Sequence, residues 1–239
     1  MKENEIDGIF RQEVRHEVDP ELLSRISASM AGSMRPVRPI APVWMLASLL
    51  VLISAIISIA CAGSIGMYGI RKLSVSEIGA IFPALAIFTC LAALLSVARM
   101  TPGGFRWKMT NAGTLLLIIV AGWVALDAAL FHDYALGAFV PQGIPCLRAG
   151  LVVAIPTGVA SWIVLRRGFA VRPSSAGLAA GTLAGLAGLT MLELHCPILL
   201  APHVMVWHTA VVPLSALAGA FLARIATSPA APAAHNPVP

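Results

Sequence analysis

Charge is what this sequence has least of. Asp, Glu, Lys and Arg make up 11% of its 239 residues, where a soluble domain carries about a quarter. Also missing are a nucleophile elbow, a phosphate-binding loop, a two-carboxylate site, a CxxC and an HExxH. The first three absences leave no catalytic machinery of those kinds, so the chain reads as a non-enzyme. The last two leave no metal motif of recognisable spacing.

What fills the space is hydrocarbon. The chain is 58% hydrophobic, and stretches 39–70, 78–98, 109–126, 149–165, 173–192 and 194–223 contain no charged residue. A bilayer-spanning helix needs about 20 mostly apolar residues, so each stretch is long enough for one pass. The expectation is an all-α membrane protein with a six-helix domain over 39–226. Its spans fall near 43–63, 78–98, 110–131, 149–165, 175–194 and 203–223. Span 1 follows a long polar segment and is too long for a signal-peptide h-region, so it reads as a retained span.

The few cations set the orientation. Arg35, Arg38, Arg99, Arg106, Lys108, Arg166, Arg167, Arg172 and Arg224 flank one set of span ends, against Arg71, Lys72 and Arg148 on the other. The positive-inside rule then places both termini in the cytoplasm. The net charge of +5 is explained by topology and gives no case for nucleic-acid binding.

Residues 1–38 are the one sizeable polar segment, and seven of the eleven acids lie in the first 21 residues. Asp19 reads as an N-cap, Pro20 and Glu21 suit a first helical turn, and Leu22, Leu23, Ile26 and Met30 recur at helical spacing. Ile6, Ile9 and Phe10 make a weaker second stripe. Such a short segment cannot bury its own apolar face, and its acidity disfavours an anionic membrane surface, which points to a cytoplasmic protein partner. The run 34–42, "MRPVRPIAP", reads as an extended linker, and 227–239 as a disordered Pro/Ala tail. In span 5, Gly177, Gly181 and Gly185 repeat every four residues, a spacing that permits close helix packing.

With the N-terminus inside, the polar outliers gather on the outer face. Loop 3–4 and its flanks hold Asp127, His132, Asp133, Cys146 and Arg148. Loop 5–6 and its flanks hold Glu193, His195, Cys196, His203, Trp207 and His208. Cys61 and Cys90 lie in or near spans 1 and 2 and read as packing residues. Cys146 and Cys196 share the outer face, where an oxidising compartment permits a disulfide. That bond needs Cα atoms within about 7 Å, a distance the sequence does not supply, and two incidental thiols are the alternative. Arg148 beside Cys146 would favour its thiolate. Thiolate plus imidazole suits transient capture of a thiophilic ion. His203 and His208, however, are five apart and fall on different α-helical faces, whereas His203 and Trp207 share one. No constitutive metal site and no resident cofactor are expected. Glu193 and Asp127 read as ionisable residues at helix ends, where their cost is modest.

The run "RPVRPIAPVW", the six spans, and Cys196-Pro197 followed in order by His203, Trp207 and His208, with Cys146 fifty residues upstream, resemble the NrsF-like family. These are six-span membrane anti-sigma factors that negatively regulate extracytoplasmic-function (ECF) sigma factors. The resemblance runs from about Leu22 to Arg224. It implies that the N-terminal segment holds a sigma factor, with Leu22, Leu23, Ile26 and Met30 as the contact. It further implies that Cys146 and Cys196 sense oxidising or heavy-metal stress, with Glu193, His195, His203, Trp207, His208 and Arg148 as an auxiliary polar cluster. A small membrane oxidoreductase or transporter, using the Cys/His cluster on a quinone, haem or metal ion, is the alternative class.

Overall fold

The computed structural model describes residues 19–33, 41–100, 111–165 and 172–227. The chain divides into two units, Met1–Ile40 and Ala41–Pro239. Expectations for residues 1–18, the linker 34–40, the loop cations 106, 108, 166 and 167, and the tail 228–239 lie outside the described residues.

In the first unit, α1 spans Pro20–Ser33. Asp19 caps it: Oδ1 accepts a hydrogen bond from the Glu21 amide at 2.9 Å and its carbonyl accepts one from Leu23 at 3.0 Å. The first bond satisfies an amide that a helix N-terminus leaves without a partner, and the second opens the helix's own ladder. Glu21 and Arg25, one turn apart, form an exposed ion pair at 2.7 Å, of the kind worth at most about 0.5 kcal/mol. Leu22, Leu23, Ile26 and Met30 are all exposed.

The second unit is helical throughout, with no strand among the described residues. Its helices are α2 (Val43–Ile65), α3 (Val75–Met100), α4 (Ala112–Leu130), α5 (Phe139–Leu165) and α6 (Pro173–His195). The last span starts with the short α7 (Ala201–His203), passes through a π-helical turn at Val204–His208, and continues as α8 (Thr209–Thr227). Six helices are long and apolar enough to cross a membrane, and the chain is a multi-pass membrane protein. A helix satisfies its own backbone polar groups, which hydrocarbon cannot do for it. Side chains such as Trp44, Leu52, Ile56, Leu117, Val152 and Phe221 are exposed, as lipid-facing residues are.

α5 begins at Phe139, well before the span expected from residue 149, so Cys146 and Arg148 lie inside a helix and not in a loop. The charge-free window starts after Arg148, but one cation does not end a helix. Arg148 is exposed, and near a span end a long basic side chain reaches out of the hydrocarbon while its backbone stays helical.

α6 is the centre of the bundle. Most of its residues from Ala176 to Leu194 are buried, whereas α2 to α5 each bury one face. Its small residues make this possible. A Cβ at Gly177 would overlap the Gly219 carbonyl and one at Gly181 the Ser215 carbonyl, both on α8. A Cβ at Gly188 would overlap the Gly150 carbonyl on α5. The glycine stripe therefore serves backbone-to-backbone contact within the bundle. On another side of α6, Ser58 Oγ on α2 lies 2.8 Å from the Ala187 carbonyl, a polar link between apolar helices.

Candidate functional site

The site forms where α6 ends. The Cys196 amide donates to Leu192 O at 2.7 Å, closing the last turn, and the chain leaves in an extended conformation towards Pro197. The terminal carbonyls of α6 are capped by the loop between α2 and α3. The Gly69 amide lies 3.1 Å from both Leu194 O and His195 O, and the Ile70 amide donates to Leu194 O at 3.2 Å. Only glycine fits at 69, because a Cβ would stand 2.7 Å from the carbonyl oxygens of Glu193 and Cys196. His195 Nδ1 lies 2.7 Å from Gly66 O, and its ring packs near Tyr68. The Ala201 amide donates to Asp133 O at 2.8 Å. The segment around Cys196 is thus tied at once to the loop between α2 and α3 and to the loop between α4 and α5.

Cys196 is buried and Cys146, on α5, is half-buried; their Sγ atoms are 3.5 Å apart. That separation is well beyond the roughly 2.05 Å of a disulfide, and both cysteines are free thiols. Cys196 lies just past the α6 span. The Cys146 sulfur beside it, together with burial, pushes its thiol above the ordinary value.

The two histidines close the other side, by a route the sequence reading excluded. Five residues apart, they would diverge on an α-helix. In the π turn the Thr209 amide reaches Val204 O, five residues back, and the wider turn brings positions i and i+5 together. The rings of His203 and His208 stand edge to face with centroids 5.2 Å apart, and both are buried. His203 Nε2 is 3.6 Å from Cys196 Sγ. One ligand-type atom each from Cys146, Cys196, His203 and His208 lies within 4.8 Å of the others. Trp207 does not share their face; it packs on Phe139 and across Gly143, where a Cβ would overlap the indole.

Behind this cluster sits Glu193, whose Oε1 is 2.9 Å from His208 Nδ1. It is not an exposed helix-end carboxylate, since both partners are fully buried. Asp127 is also fully buried, and neither of its oxygens has a hydrogen-bond partner. It is close enough to Glu193 and His208 to interact with their charges. Sequence reasoning placed Asp127 at a span end and missed this proximity. The available signal was a carboxylate flanked by apolar turns, since ionisable groups in spans face the bundle interior.

The structure therefore unites Cys146, Cys196, His203, His208 and Glu193, and adds Asp127. It directs His195 to the α2–α3 loop, Trp207 to α5 and Arg148 to the surface. Among the described residues no other group of His, Cys, Asp and Glu is placed to hold a metal ion. Leu22, Leu23, Ile26 and Met30 belong to the first unit and are described by themselves.

The family model described as "NrsF: Negative regulator of sigma F" matches residues 30–227. No curated protein matches the chain, and no solved structure does. The matched residues take in all six spans and every member of the Cys/His cluster. The chain belongs to the NrsF family, the negative regulators of sigma F.

Proposed function

We propose that this negative regulator holds an ECF sigma factor at the inner membrane through its cytoplasmic N-terminal segment. It releases that factor when Cys146 and Cys196 respond to oxidising or heavy-metal stress. The observation that carries the reading is the 3.5 Å approach of two sulfurs from different helices, at the point where α6 is tied to the α2–α3 loop. With hydrogen peroxide as oxidant, two thiols give one disulfide and two waters, and the sulfurs close by more than 1 Å. A thiophilic ion bridging them imposes its own separation instead.

Either event pulls on Cys196, and the capped carbonyls of Leu194 and His195 pass the strain to Gly69 and Ile70. That loop joins α2 to α3, and α2 continues the chain from the N-terminal segment. Reversing a bundle equilibrium from 1:99 to 99:1 takes about 5.5 kcal/mol of differential interaction, which a covalent bond or a two-thiolate bridge can supply. In the N-terminal unit, the exposed stripe of α1 supports a helix-in-groove contact with sigma.

Two sets of variants test the reading. Cys146→Ser and Cys196→Ser should each abolish induction of a sigma-dependent reporter by peroxide or cadmium while repression in unstressed cells persists. Normal induction in both would refute the sensing role. Leu23→Glu with Ile26→Glu should give constitutive reporter activity at unchanged membrane abundance; intact repression would place the sigma contact elsewhere.

A further inference from the structure

The geometry points to a four-coordinate site for a single divalent thiophilic cation of the zinc–cadmium class, made by Cys146, Cys196, His203 and His208. This deepens the sensing proposal, on which it rests for the role of the cysteines, and it gives the histidines a function of their own.

Three observations carry it. The first is spacing. A tetrahedral ion with metal–sulfur bonds of about 2.3 Å and metal–nitrogen bonds of about 2.0 Å sets sulfur–sulfur edges of about 3.8 Å and sulfur–nitrogen edges of about 3.5 Å. The Cys146–Cys196 edge is 3.5 Å and the Cys196–His203 edge 3.6 Å. The remaining edges lie within 4.8 Å, so a shift of about 1 Å closes the set around an ion.

The second is the orientation of His208. Its Nδ1 is engaged by Glu193 at 2.9 Å, and its Nε2 is buried with no hydrogen-bond partner. A buried imidazole is rarely left in that state. A carboxylate on one nitrogen with the other nitrogen free is how proteins fix the tautomer and direction of a metal-bound histidine. Glu193 is then a positioning residue and does not touch the ion.

The third is charge. A divalent ion on two thiolates and two neutral imidazoles is electrically neutral. A monovalent ion would leave a net negative centre beside buried Glu193 and Asp127, in surroundings where uncompensated charge is costly. The ligand count and charge therefore favour a divalent ion over a monovalent one. Oxidation of the two sulfurs to a disulfide removes both thiolates, so a bound ion and a disulfide exclude each other at this site.

Cobalt(II) alone is the probe. The full-length protein, purified in detergent, reduced and stripped of metal, should bind one equivalent. The complex should show the intense visible bands of tetrahedral cobalt with a sulfur-to-cobalt charge-transfer band, and Zn2+ or Cd2+ should displace both. His203→Ala and Cys146→Ser should each lose the tetrahedral bands; Cys146 is the half-buried member and guards against a folding failure at His203. Glu193→Gln should keep the spectrum but weaken binding about 10–100-fold. No stoichiometric binding by folded protein would overturn the site. Tetrahedral cobalt that is unchanged by His203→Ala would also overturn it, removing His203 from the ligand set. The parent reading is judged separately on the same preparations. Parent protein that binds no cobalt yet frees sigma on peroxide treatment sinks only the metal site, whereas intact cobalt binding without any release on peroxide or cadmium sinks only the sensing role.

Discussion

Glu193, Asp127 and His208 show how differently buried polar groups can be satisfied within one bundle. Glu193 Oε1 has a partner in His208 Nδ1, so removing the carboxylate strands a buried imidazole nitrogen. Glu193→Ala should therefore destabilise the bundle by about 1–3 kcal/mol, read as a lower melting midpoint in detergent. Asp127 has no hydrogen-bond partner on either oxygen. Asp127→Asn, which keeps the shape and removes any charge, should melt no lower than the parent protein; a clear loss would show that the carboxylate is satisfied by a bound ion or water. The sequence made the residue types of this cluster legible: two cysteines near span ends, clustered histidines and carboxylates in apolar company. It did not show which of them meet. Cys146 and Cys196 are fifty residues apart and join only because α5 packs on α6, a tertiary fact with no local signature.

At the scale of elements, five of the six spans fall close to where charge-free windows placed them, because hydrocarbon length is written directly in composition. The start of α5 was not legible, since Arg148 interrupts hydropathy without interrupting the helix. The π turn was not legible either: it is a choice of hydrogen-bond register, and an α-helical reading of "HVMVWH" is locally just as good. The glycine spacing of α6 was readable, and the structure shows its use. Gly181→Val should force α6 away from the Ser215 carbonyl, costing about 1–3 kcal/mol or more, which thermal unfolding in detergent would record. Gly69→Val, in a loop, acts on a different link. It should break the capping of Leu194 and His195 and uncouple thiol chemistry from sigma release, while the two sulfurs still form a disulfide. The check is a thiol-labelling assay beside the reporter.

At the scale of the whole molecule, the described residues of the second unit form a bundle around one buried helix, with the Cys/His cluster at the end of that helix. The apolar stripe of α1 belongs to a separate unit. The proposed sensing role requires both termini on the side of the membrane away from the cysteines, as the cation distribution expects. Fusions after Arg224 should be active with a cytoplasmic reporter and silent with a periplasmic one. The reverse pattern would invert the topology and disconnect the cysteines from an oxidising compartment.

The π turn also makes the site depend on a residue count. Helical positions advance by about 100° per residue, and the turn at 204–208 accommodates one residue more than an α-helix would. Deleting Met205 alone would remove no ligand and no charge. It would let the turn relax to the ordinary helical register with His203 and His208 four residues apart, a spacing that still shares a face, whereas one inserted residue would set them six apart and swing them onto different faces. In this protein a one-residue insertion in that turn would act as a disabling substitution of a site it does not touch, and a one-residue deletion would not.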